Sequence, residues 1–152
     1  MLPDGEITQT RLFKTWLSGT TGFYRHGILG DPTEAPAINV LTGEGRKFEF
    51  KISLRSVFED LRVRLIDLNG NGKEELVAIR SYLDAGAALS VFALAADGTN
   101  LLAETPPIGL SYRWFNQAGA ADFDGDGNIE IAIVETPHIG GILRVYQLGP
   151  DG

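Results

Sequence analysis

The sequence predicts an all-β protein, an array of about three four-stranded antiparallel units of which the first is degenerate. Three observations predict it. A nine-residue acidic loop occurs twice, as DLNGNGKEE at Asp67–Glu75 and as DFDGDGNIE at Asp122–Glu130. Each copy runs into a short apolar stretch of β-forming residues, Leu76–Ile79 and Ile131–Val134. No segment sustains apolar residues at i, i+3, i+4 and i+7, so helix should be scarce.

The second unit defines the repeat. From Leu76 the run LVAIRSYLDAGAALSVFAL aligns with IAIVETPHIGGILRVYQL from Ile131, with one residue lost in the connecting turn. Val63–Ile66 reads as the first strand, followed by the acidic loop. Glu75–Arg80 is the second strand, Ala88–Leu94 the third and Asn100–Glu104 the fourth. Turns at Ala96-Asp97-Gly98 and Pro150-Asp151-Gly152 carry Asp-Gly, a strong hairpin signal because both centres tolerate positive φ. In the degenerate first unit, Gly27–Asp31 (GILGD) resembles a first strand with its leading aspartate. Ala37–Leu41, the turn Thr42–Gly45 and Lys47–Ile52 match strands three and four. The second strand and the cation loop are expected to be missing there, so Asp31 should hold no metal. Glu6–Leu12 is a candidate outer strand, and Thr10–Leu17 (TRLFKTWL) is ambiguous between helix and strand. The expected division is a single repeat domain over 1–152. Residues 1–56 form the N-terminal strand plus the degenerate unit, 57–107 the unit with the first loop, and 108–152 a unit lacking its outer strand.

Composition sets the boundaries of function. The chain has 152 residues, enough for one domain with a real core. Its hydrophobic content of 43% and charged content of 22% are those of a globular chain. A net charge of −7 argues against nucleic acid and anionic membranes, which want clustered Lys and Arg. Cysteine is absent, which excludes disulfides and thiolate metal sites. The N-terminus MLPDGEITQT lacks the basic and apolar regions of a signal peptide, and no apolar run approaches the ~20 residues of a membrane helix.

The loops carry the chemistry. Oxygen-bearing side chains recur at positions 1, 3, 5 and 9, with glycine at 4 and 6. Alternate residues of a tight turn converge, and oxygen is what Ca²⁺ prefers, whereas Mg²⁺ demands stricter octahedral geometry. The candidate ligands are Asp122, Asp124, Asp126 and Glu130 with the Asn128 carbonyl, and Asp67, Asn69, Asn71 and Glu75 with the Lys73 carbonyl. The competing reading is an Asx-rich turn whose side chains cap their own backbone. It weighs more for the first loop, which has two carboxylates against four. An EF-hand is a poor alternative, because position 12 is Ala78 or Ile133 where a bidentate Glu is needed.

Ala118–Val134 (AGAADFDGDGNIEIAIV) and, less cleanly, Val63–Ile79 (VRLIDLNGNGKEELVAI) resemble the FG-GAP/VCBS repeats of the integrin-α-like β-propeller family, and the wording is similar to bacterial secreted VCBS-repeat proteins. The resemblance implies propeller blades, Ca²⁺ in both loops and a secreted or periplasmic location. It implies no particular activity. Asn69 and Asn71, and Glu in place of Asp at position 9 of both loops, depart from the pattern. Three blades are too few to close a ring of ~4–8. Either the N-terminal strand completes the last blade, or the chain is part of a longer or self-associating array, and the second is favoured.

The functional expectation is a calcium-binding structural or adhesive domain that presents loops to a protein or glycan. The alternatives are a hydrolase or lyase acting at the rim, and a unit whose role is self-assembly through open blade edges. The rim candidates are His26, His138, Glu135 and Arg113, with His138 and Glu135 a conceivable acid–base pair. Against that stand a loop histidine bonded to neighbouring backbone, and packing roles for Trp114 and Tyr24. No G-x-S-x-G, H-E-x-x-H or phosphate-cradling loop occurs, so no residue is assigned as catalytic.

Overall fold

The computed structural model describes residues 1–30, 32–53, 55–95 and 98–150. It is all-β, with one three-residue 3₁₀ turn at Pro137–Ile139 as its helical element among those residues. Among the described residues twelve strands form three antiparallel sheets, none of them closed.

The first sheet runs β1 (Ile7–Gln9), β2 (Phe13–Ser18), β3 (Ala37–Thr42) and β4 (Lys47–Lys51), paired in chain order. This rearranges the expected first unit. The ambiguous TRLFKTWL segment is a turn followed by strand, and Thr10 Oγ1 accepts from the amides of Leu12 (3.2 Å) and Phe13 (3.1 Å) to close that turn. The N-terminal strand is therefore the first strand of its own sheet, pairing Ile7 with Trp16, and does not complete the last one. Gly27–Gly30 lie in no strand, within the long β2–β3 connection. Asp31 lies outside the described residues. The sheet thus has all four strands. What it lacks is the acidic loop, replaced by the short turn between β1 and β2.

The second sheet contains β5 (Ser56–Phe58), β6 (Arg64–Ile66), β7 (Glu75–Tyr82), β8 (Gly86–Ala95) and β9 (Gly98–Glu104). The order is β7-β8-β9, with β5 and β6 pairing opposite ends of β7. Strands β6 to β9 occupy the four expected segments with small shifts at their ends. The short strand β5 was not expected, and it puts Ser56 in this sheet rather than the first. Ala96 and Asp97 lie outside the described residues, as do Asp151 and Gly152. The third sheet has β10 (Phe115–Ala121), β11 (Glu130–Glu135) and β12 (Ile142–Gln147). Among the described residues no fourth strand pairs with β12.

The first strands converge. A cavity of about 480 Å³ is lined by Ile7–Gln9, by Arg64–Ile66 and by Gln117–Ala120, one segment from each sheet of a partial, propeller-like array. Two apolar layers hold the sheets together. Leu17, Ile38 and Val40 pack with Phe58, Leu76, Ala78 and Phe92 between sheets one and two. Leu68, Val77, Ile79, Leu89 and Val91 pack with Phe115, Ile131 and Ile133 between sheets two and three. Strand β7 feeds both layers, Leu76 and Ala78 one way and Val77 and Ile79 the other. This is why its sequence is continuously apolar instead of alternating.

The two outer faces differ. On sheet one the residues opposite the core include Lys14, Trp16, Asn39 and Glu49. Asn39 donates to Ser18 Oγ (2.5 Å), Ser18 to Glu49 (3.2 Å), and the Lys47 ammonium sits 5.4 Å from the Trp16 ring. That face is finished with polar groups. On sheet three the counterparts of buried Leu68, Leu89 and Val91 are Phe123, Leu143 and Val145, given the shared strand register. Leu89 is 2% exposed and Leu143 66%.

Candidate metal centre

The acidic loops join β6 to β7 in sheet two and β10 to β11 in sheet three. Their hydrogen bonds correspond closely, differing in one donor to the position-1 carboxylate, at position 4 in the second loop and position 5 in the first. At position 1, Asp122 accepts from the amides of Gly125 (2.6 Å) and Gly127 (3.0 Å), and Asp67 from those of Asn71 (3.0 Å) and Gly72 (2.8 Å). At position 3, Asp124 accepts from Asp126 N (3.0 Å) and Asn69 from Asn71 N (3.2 Å). At position 5, Asp126 accepts from Asn128 N and Asn71 from Lys73 N, both at 2.8 Å. The position-9 glutamates are buried at the head of the next strand and reach back to the amide at position 2. Glu130 Oε2 accepts from Phe123 N (2.7 Å), and Glu75 Oε2 from Leu68 N (2.9 Å). Glycines 4 and 6 carry the turn at positive φ, 68° and 81° in the first loop, 82° and 92° in the second.

The capped-turn reading and the cation reading are therefore compatible. Each carboxylate oxygen has lone pairs beyond those the amides use. In the second loop, ligand oxygens of Asp122, Asp124, Asp126 and Glu130 all lie within 4.8 Å of one another, the one group of three or more acids or histidines so placed among the described residues. The donor set suits a hard divalent ion, and one atom asks for it. Glu130 Oε1 is buried and has no hydrogen-bond partner, a state a native interior rarely tolerates. Asp126 is held below the usual carboxylate range by the Asn128 amide first, and also by Gln147 of β12, which donates to it at 2.7 Å. The loops also touch each other, since Ile129 N donates to Leu68 O at 3.1 Å.

The rim residues are sorted differently from the expectation. Glu135 is paired with Arg144 across β11 and β12, so the structure does not reserve it for His138. His138, on the 3₁₀ turn, instead meets His26, with ring centroids 5.8 Å apart. His26 Nδ1 is 2.5 Å from Oε1 of Glu59, whose side chain is fully buried. Ser81 donates to the other Glu59 oxygen. Burial pushes the Glu59 carboxyl up, and the Ser81 and His26 hydrogen bonds oppose that. Burial, and then the Glu59 charge, raise the neighbouring Tyr24 phenol. Arg113 stays apart from this cluster's polar groups, its guanidinium bonded to the Tyr112 carbonyl at 3.4 Å. Trp114 packs, as the alternative held, against the layer between sheets two and three, and its indole donates to Glu59 O at 3.0 Å. Glu59 and Ser81 were not found by sequence reasoning. Neither lies in a motif, and their partnership is made by pairing β5 and the segment after it against β7.

No curated protein and no solved structure matches the chain significantly. Residues 67–133 match the family model described as FG-GAP-like repeat. That span opens on the first residue of one acidic loop and ends in β11 beyond the other, so the stretch that carries both loops is similar to an FG-GAP-like repeat.

Proposed function

We propose that this chain is a calcium-stabilised structural and adhesive repeat domain, in which each acidic loop holds one Ca²⁺ and the blade loops meet a protein or glycan partner. The observation that carries the reading is the buried, unpartnered Glu130 Oε1 within a cluster of four carboxylates. Such a cluster repels itself unless a cation lies among its oxygens. Asp122, Asp124, Asp126 and Glu130 would hold the ion in the second loop, with the Asn128 carbonyl. Asp67, Asn69, Asn71 and Glu75 would do so in the first, with the Lys73 carbonyl. Bound there, the ion supplies positive charge that ties the first strand of a blade to the second and couples binding to folding. Calorimetric titration of chelator-treated protein with Ca²⁺ tests this. Two ions per chain are expected, the second-loop site the tighter, and Asp124→Ala should remove that site alone. Absence of calcium heat would overturn the reading.

A second reading, self-assembly, is favoured by the apolar outer face of sheet three. The polar outer face of sheet one is a poor complement to it, so two copies would meet third sheet to third sheet. Light scattering at rising concentration should show a dimer, and Leu143→Lys should leave a monomer. A wild-type protein that stays monomeric throughout would sink this reading without touching the calcium one.

A further inference from the structure

The chain has two histidines, His26 and His138. They lie on different elements, one in the β2–β3 connection and one on the 3₁₀ turn before β12, yet their rings meet. We propose that His26 and His138 form a second, distinct metal site, a two-imidazole site for a borderline divalent cation of the Zn²⁺ class. Three observations converge on it.

The first is spacing. With Zn–N bonds of about 2.0–2.1 Å, two imidazoles on one tetrahedral ion have ring centroids about 5 Å apart, widening to about 6 Å as the angle opens. The centroids here are 5.8 Å apart with the ring planes at 70°. The second is orientation. His26 Nδ1 faces the fully buried Glu59 carboxylate at 2.5 Å, and Ser81 fixes the carboxylate's other oxygen. A histidine that gives one ring N–H to a carboxylate presents its other nitrogen as a lone pair, which is how protein carboxylates orient and strengthen metal-binding histidines. Glu59 is thus a positioning residue. The third is strain. Among the described residues, two non-glycines have positive φ, Tyr112 at 57° and Thr136 at 47°. Tyr112 packs on His26, with centroids 5.6 Å apart, and Thr136 starts the turn that carries His138. Strained backbone of this kind is costly and gathers where side chains must be held for a ligand. Thr136, being β-branched, is especially costly there.

The site differs in kind from the acidic loops. Imidazole nitrogen suits Zn²⁺, Cu²⁺ or Ni²⁺, whereas the loops offer oxygen for a hard cation. With two protein ligands, the remaining coordination positions are left for water or for a donor from a partner.

The test is calorimetric titration with Zn²⁺ in excess Ca²⁺, which keeps the loops filled. One zinc site per chain is expected. His138 is exposed, so His138→Ala leaves the core intact, and it should weaken zinc binding at least ~10-fold. Glu59→Gln should weaken it ~10–100-fold, the usual cost of losing a carboxylate behind a ligating histidine. Asp124→Ala should leave zinc binding unchanged while removing calcium from the second loop, so the two sites fail independently. No zinc heat in the wild type, or wild-type affinity in folded His138→Ala, would overturn the site and leave the two rings as an edge-on packing pair.

Discussion

Ca²⁺ returned to chelator-treated protein is expected to raise the melting temperature by about 5–15 °C. A ligand that binds only the folded state adds about 2.7 kcal/mol at 100-fold its dissociation constant and about 4.1 at 1,000-fold. A chain of this size gains roughly 2–4 °C per kcal/mol. The gain should be large because the folded chain concentrates four carboxylates within 4.8 Å and leaves Glu130 Oε1 buried without a partner. The unfolded chain has neither feature. Asp124→Ala should lose most of the gain, because it removes one carboxylate and leaves the others crowded. The capping bond from Asp126 N goes with it, but that bond is exposed and contributes little by itself. Glu75→Gln in the first loop should lose a smaller share, since Asn69 and Asn71 already make that site less charged. Scanning calorimetry with Ca²⁺ and with chelator decides the matter. Equal melting temperatures in the two conditions would remove the ion from the account of this fold.

Glu59→Ala is expected to cost about 3–5 kcal/mol, the usual range when one partner of a buried charged network is deleted. That corresponds to a fall of roughly 6–20 °C in melting temperature. Glu59 is 0% exposed and receives Ser81 and His26. Its main-chain carbonyl accepts from the Trp114 indole, and its amide donates to Ile79 O at 3.2 Å. Removing the side chain strands two donors in a dry site and opens a cavity beside Tyr24. Glu59→Gln keeps the volume and an acceptor and should cost clearly less. Ser81→Ala should cost about 1–2 kcal/mol, one buried hydrogen bond. Urea unfolding of the three variants orders these effects. A Glu59→Ala protein within 1 kcal/mol of wild type would show that the cluster does not hold the second sheet to the β2–β3 connection.

The strand-loop-strand grammar around Asp67 and Asp122 was legible because it is local. Each loop's side chains cap its own amides across at most seven positions, so the chemistry is written in nearby letters. β7 and β8 were legible for a related reason, since long β-branched and apolar runs have one plausible fate. The first sheet was misread because its loop is short and its acidic signal absent. With no acidic loop to mark the first strand, GILGD looked the part, and β1 was taken for an outer strand.

What the residues determined by themselves is the repeat, the all-β class and the oxygen-rich loops, because these depend on spacing within a dozen positions. What the tertiary structure decided is the company each side chain keeps. It moved Glu135 to Arg144, brought His138 to His26, and placed Glu59 beneath them. It also covered one outer face of the array with polar groups and left the other apolar. Those outcomes depend on which sheet packs on which, and burial between sheets follows from contacts far apart in the chain that no local pattern encodes.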